Sequence, residues 1–140
     1  MAFPTKLALE VVTPDRSLVR EEVDEVQLPG AEGYLGILPG HTPVLVTLKI
    51  GELWLRMGNE KQFLAIAGGF AEILPDRVTV LAQIAERAHE IDSARAEAAR
   101  KRAEERLARP SKDLDFERAR VALMKSLVRL QVASRARTRT

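Results

Sequence analysis

The chain has no cysteine among its 140 residues, which excludes a disulfide framework, a thiol nucleophile and thiolate-bound zinc. Aromatic residues make up only 4%, so any core must rest on Leu, Val, Ile and Ala. Histidine occurs twice, at His41 and His89, in different halves of the chain. No serine stands in a G-x-S-x-G setting, and no H-E-x-x-H or other metal-ligand spacing occurs. These absences leave no candidate catalytic residue and no candidate metal ligand set. No run reaches the ~18 apolar residues of a membrane-spanning helix. The longest, from Phe63 to Phe70, holds two glycines and reads as strand and turn. The N-terminal MAFPTKLALEVV lacks the basic and long apolar regions of a signal peptide. Membrane association is therefore expected only through partners. The last absence is of acid: from Arg118 to the end there are seven Lys or Arg and no Asp or Glu.

What is present suffices for a folded domain with an appendage. Hydrophobic residues make up 46% and the net charge is only +2, so the whole chain is not a polyanion binder. Up to about Gln83 the apolar period is two. Leu7, Leu9 and Val11 alternate with their neighbours, as do Val44, Val46 and Leu48; Leu53 and Leu55 flank Trp54, and Val78 and Val80 flank Thr79. Turn signals divide these runs at Thr13-Pro14-Asp15, Pro29-Gly30, Pro39-Gly40, Gly58-Asn59, Gly68-Gly69 and Pro75-Asp76. Gly58-Asn59 predicts a two-residue hairpin turn. Runs apolar on both faces, such as Phe63 to Ala67, point to two packed layers, hence a β-sandwich or flattened barrel.

After Ile91 the period becomes helical. Asp92 or Ser93 can cap a first helix over residues 93–107, with Ala96, Ala99, Ala103 and Leu107 on one stripe. Pro110 ends it; Ser111 or Asp113 caps a second helix running to about Ser134, with residues 135–140 frayed. The short loop predicts an antiparallel hairpin. The second helix has two apolar stripes: Phe116, Ala119, Leu123, Leu127 and Leu130 form one, and Val121, Met124, Val128 and Val132 the other. Arg118, Lys125 and Arg129 lie between them. One stripe can meet the first helix and the other either the β-domain or another protein. The fold class is thus mainly β plus α. A β-sandwich over residues 1–86 precedes a helical hairpin with a basic tail over residues 87–140.

Residues 29–43, PGAEGYLGILPGHTP, are rich in glycine and proline. A strand follows and no Lys is nearby, so a phosphate cradle is disfavoured against a shaped surface loop of the kind that carries partner contacts. The basic tail suits either an acidic protein surface or the phosphates of a nucleic acid. The strands lack the stacking aromatics of single-strand binders. A non-enzymatic β-domain whose basic tail binds nucleic acid is the rival reading.

Four segments in order resemble ATP synthase epsilon subunits: E-G-Y-L-G-I-L-P-G-H-T-P (Glu32 to Pro43), I-A-G-G-F-A-E (Ile66 to Glu72), V-T-V-L-A (Val78 to Ala82) and I-D-S-A-R-A (Ile91 to Ala96). The resemblance implies a non-catalytic, regulatory rotor subunit of a bacterial F-type ATP synthase. Its expected partners are the gamma subunit, the c ring and the alpha and beta subunits, with no nucleic acid. Its expected place is the cytoplasmic face of the plasma membrane, as a peripheral protein. The resemblance also implies a gamma or c-ring contact at Tyr34, Gly36, Pro39, Gly40 and His41; some relatives carry a carboxylate at the position of Tyr34. Arg118, Lys125 and Arg129 would meet the beta subunits and inhibit hydrolysis. No cofactor is required; ATP is the expected regulatory ligand, at Glu86, Ile91, Asp92, Arg95, Ala96, Arg102, Lys125 and Arg129. Where relatives have an arginine, this chain has Lys125.

Overall fold

A computed structural model describes residues 3–109 and 113–138. The chain divides between Arg87 and Ala88 into two compact units. The first holds seven strands: β1 (Leu7–Val12), β2 (Ser17–Val23), β3 (Glu25–Gly30), β4 (Gly33–Ile37), β5 (Val44–Met57), β6 (Glu60–Leu74) and β7 (Arg77–Arg87). They form one sheet in the order β2-β1-β7-β6-β5-β3-β4. The β1–β7 pairing is parallel and the rest are antiparallel. Although β2 lies four places from β5 in that order, the two strands touch, so the sheet folds over on itself into two layers.

The fold-over is written in the burial pattern. In β5, Leu48 is buried on one parity and Leu53 and Leu55 on the other; in β6, Leu64 and Ile66 give way to Ala71 and Ile73; in β7, Val78, Val80 and Ala82 give way to Ala85. The slip falls at one level, because Leu48 pairs with Gly69, and Gly69 with Ala82. A one-residue irregularity at the same height in three neighbouring strands turns a corner in the sheet. Gly69 makes it possible in β6. It sits at φ +118, and a Cβ there would lie 2.1 Å from the Leu81 carbonyl oxygen. The core between the layers is aliphatic, led by Leu7, Leu9, Leu28, Ile37, Leu53, Leu55, Leu64, Ile66 and Ile73.

The sandwich-plus-helices class is borne out, and several local expectations are corrected. Gly68-Gly69 is not a turn: it lies inside the continuous β6, since a positive-φ glycine pair bulges a strand as readily as it ends one. Pro29-Gly30 closes β3, and the turn falls on Ala31 and Glu32. Residues 29–43 are thus half strand, with only residues 38–43 a loop. The hairpin at Gly58-Asn59 forms as expected, with Gly58 at φ +62.

The second unit begins with a 3-10 turn (Ala88–Glu90), then α1 (Ser93–Leu107) and α2 (Asp113–Thr138), which pack along each other. α1 starts where its cap sits: the Asp92 carboxylate accepts the Arg95 N–H at 3.1 Å. The cap proposed at Ser111 lies outside the described residues. Asp113 is already helical, and α2 continues through Arg135 to Thr138 rather than ending near Ser134. Arg, Ala and Ser are tolerated in a helix, and the last turn gains from basic side chains.

The apolar stripes of α2 are also corrected. Its buried positions include Ala119, Ser126 and Ala133, spaced by seven, together with Val132. Two large members of the expected first stripe, Phe116 and Leu127, are 48% and 47% exposed, while Leu123 and Leu130 are half-buried. In α1 the buried residues are Ala96 and Ala103. Small side chains let helix backbones approach closely, so Ala and Ser take most of the fully buried positions beside Val132, while Phe116 and Leu127 stay outside.

Candidate functional site

Three surfaces carry the candidate residues. The first lies at the β4 edge of the sheet. Tyr34 and Gly36 belong to β4, and Pro39, Gly40 and His41 to the loop that follows. Gly40 adopts φ +88, and its N–H donates to the Pro75 carbonyl at 2.7 Å, which ties the loop to the β6–β7 turn. His41 Nδ1 lies 2.7 Å from the Thr42 carbonyl oxygen. A carbonyl only accepts, so Nδ1 carries the proton and Nε2 of the neutral ring is left as an acceptor. Tyr34 is half-exposed, with the Lys49 ammonium 5.1 Å from its ring centroid.

Beside this loop is a patch that the sequence reading missed. Phe70 pairs with Thr47 on one side and Leu81 on the other, so these three share an outer row; Leu45, Glu72 and Thr79 form the next. Leu45, Phe70 and Leu81 are 71%, 54% and 55% exposed, an unusual concentration of large apolar side chains. The signal was present in the runs that are apolar on both faces. Part of that surplus faces outward instead of packing between the layers. A cleft of about 530 Å³ between Gly30–Leu35 and Leu45–Thr47 opens next to the patch.

The second surface is around the start of α1. The structure brings Ile91, Asp92, Arg95 and Ala96 together at one helix end, with Arg102 about two turns on. The side chains of Ile91 and Ala96 are buried, so only their backbones can reach a ligand. Asp92 is committed to the cap. Arg95 and Arg102 are exposed and make no ion pair among the described residues. Arg100 between them is consumed locally by Glu97 and Glu104, and these carboxylates hold its guanidinium even more firmly protonated than usual, Glu97 foremost. Glu86 lies on β7, in the other unit, and is already engaged in a contact.

The third surface is α2. Arg118 and Lys125 line a shallow groove with Glu117, Val121 and Ala122. Arg129, one turn beyond Lys125, has a partner within the protein. Arg120 is tied back to Glu117 at 3.1 Å, which raises its already high pKa. After Glu117 no acidic side chain offsets the basic ones. Among the described residues no group of three His, Asp or Glu is placed to hold a metal, and no helix is long and apolar enough to cross a membrane.

The class so defined is a two-layer β-unit with an appended helical pair, offering loops, an apolar patch and a basic helix rather than a reactive cleft. Comparison with known proteins names it. Residues 6–88 match the ATP synthase delta/epsilon chain β-sandwich domain and residues 89–134 the long α-helix domain of the same chain. The chain belongs to the ATP synthase delta/epsilon chain family. An ATP synthase epsilon chain from Syntrophobacter fumaroxidans is 52% identical over 130 residues, covering 93% of this chain and 97% of that one. The ATP synthase epsilon chain of Solibacter usitatus is 48% identical over 133 residues, covering 95% and 99%. Among solved structures, a chain of the Euglena gracilis mitochondrial ATP synthase, seen with OSCP, F1 and the c ring, superposes with a TM-score of 0.82 at 25% identity, over 96% of this chain and 84% of that one. A chain from the Tetrahymena thermophila enzyme shares the fold, with a TM-score of 0.62 at 13% identity, over 96% and 98%.

Proposed function

We propose that this chain is a central-stalk rotor component of a bacterial F-type, proton-translocating ATP synthase. It couples the gamma subunit to the c ring and restrains ATP hydrolysis through its helical unit. It reaches the cytoplasmic face of the membrane only through those partners. The β-unit supports coupling by offering a tied-down loop at Pro39, Gly40 and His41 beside the exposed Leu45, Phe70 and Leu81. The observation that carries the inhibitory role is the composition of α2. Seven basic residues and no acid follow Glu117; Arg118 and Lys125 line a groove that has Glu117 at its start, and Phe116 and Leu127 stand exposed on the same helix. Such a helix suits an acidic surface with apolar pockets, as the alpha and beta subunits would provide. The test compares ATP hydrolysis by the reconstituted complex carrying the full chain with one ending at Arg87, where β7 is complete. Truncation is expected to raise hydrolysis, and charge reversal at Arg118 and Lys125 to raise it likewise. Equal rates in all three would remove the inhibitory role.

ATP is the regulatory ligand of this reading. Arg95 and Arg102 offer unpaired guanidinium groups from α1, and Lys125 a point charge from α2. Asp92 keeps its cap when replaced by Asn, so Asp92→Asn isolates any charge-dependent role from helix stability. Arg95→Ala is expected to weaken ATP binding to the isolated chain severalfold. A titration unchanged by Arg95→Ala and Arg102→Ala together would refute the site.

A further inference from the structure

We infer that Tyr34 is a positioning residue: its hydroxyl straps edge strand β4 across β3 onto β5, and so fixes the backbone that presents the 38–43 loop. The importance of that loop rests on the contact role proposed above; the strap itself does not. At the sheet edge, β4 pairs only with β3, and opposite Tyr34 stands Pro29, which has no N–H to give. The next ladder inward is broken as well. Gln27 pairs with Trp54 and Gly30 with Leu48, so a three-residue step on β3 spans six residues of β5. Within that excess, the Glu52 N–H donates to the Tyr34 hydroxyl at 3.2 Å. The side chain therefore reaches over one strand and bridges β4 to β5 where the β3–β5 ladder is interrupted.

The local sequence makes room for it. A Cβ on Gly51 would lie 2.8 Å from the Tyr34 hydroxyl oxygen and 2.5 Å from the Pro29 Cβ, so only glycine lets the phenol settle against β5. The Lys49 ammonium adds a cation–π contact at 5.1 Å, and the ring remains half-exposed. The loop then has two anchors, Tyr34 on the strand that feeds it and the Gly40–Pro75 hydrogen bond near its middle. A loop held in this way loses less conformational freedom when a partner docks.

The experiment is amide hydrogen exchange on the full-length chain and its Tyr34→Phe variant, which keeps the ring and removes the acceptor. The Glu52 amide is expected to exchange roughly fivefold to tenfold faster, the value of one net hydrogen bond. Amides of residues 38–43 are expected to accelerate with it, while β6 amides paired to β7 keep their rates. Gly51→Ala, which displaces the hydroxyl without deleting it, is expected to reproduce the pattern at Glu52 and the loop. A wild-type rate at Glu52 in Tyr34→Phe, an unchanged loop, or an increase spread evenly over the sheet would each overturn the strap. The contact role is read separately, by adding a gamma–c-ring complex to the wild-type chain. Loop amides that do not slow would sink that role and leave the strap standing.

Discussion

Asp24, between β2 and β3, gathers distant pieces of the β-unit around one carboxylate. It accepts the Gly58 N–H at 2.7 Å from the β5–β6 turn, binds the Lys6 ammonium ahead of β1, and lies 3.8 Å from the Arg56 guanidinium. The Gly58 hydrogen bond first, and Lys6 second, hold its pKa below the usual carboxylate value. A depressed folded-state pKa stabilises the fold above the unfolded pKa of about 3.9, and that contribution disappears as pH falls through the folded value. Asp24→Asn is therefore expected to melt below wild type at pH 6 to 7, with the gap narrowing as pH falls below about 4. Thermal melts followed by circular dichroism across that range check it; a gap that fails to narrow would mean that ionisation is not its source. The glycines give a second expectation at this scale. Gly69→Ala meets both a positive φ and the Leu81 carbonyl, whereas Gly40→Ala meets the strained φ with nothing within 4 Å. Urea unfolding is expected to show Gly40→Ala losing about 1–3 kcal/mol and Gly69→Ala losing more. A Gly-Gly pair could not disclose this difference in sequence, because a turn and a bulge ask for the same residue.

At the level of elements, strands and helices were legible in proportion to how local their causes are. β1 and the first half of β7 follow strict alternation, and α1 begins at a cap and ends before a proline, so all were readable from neighbours alone. The corner in β5, β6 and β7 was not readable. It needs three strands to slip at one level, and the sequence reveals levels only after pairing is known. The α2 stripes failed for another reason. Ranking residues by hydrophobicity puts Phe116 and Leu127 inside with Val132, whereas only Val132 of these is buried and the other buried positions belong to Ala119, Ser126 and Ala133. The Ser126 hydroxyl is satisfied by the Leu123 carbonyl at 2.9 Å, so it costs little where it lies. Overpacking is the consequence to test. Ala119→Leu or Ser126→Leu is expected to destabilise the helices by about 1–3 kcal/mol, and Leu127→Gln by less than about 1 kcal/mol. Helical circular dichroism on melting gives the order; a reversed order would place the seam on the large residues after all.

At the scale of the whole molecule, the two units are stabilised by different kinds of side chain. The β-unit buries Leu, Ile and Val from all seven strands, each fully buried one contributing about 1.5–3 kcal/mol. The buried positions of α1 are Ala96 and Ala103, and much of α2 is held by Ala and Ser. Each buried Ala methyl contributes nearer 0.8 kcal/mol. High helix propensity and pairs such as Glu97–Arg100–Glu104 keep α1 helical, but at a few tenths of a kcal/mol apiece they do not replace a core. The helical unit is therefore expected to open first. Amide exchange on the full-length chain is expected to show residues 93–107 and 113–138 exchanging through a lower-energy opening than the β5–β7 ladder. A chain ending at Arg87 is expected to keep the β-sheet melting transition within a few degrees. If the helices instead share the protection of β5–β7 and the truncated chain fails to fold, the two units are a single cooperative body, and regulation by a detaching arm is not open to this protein.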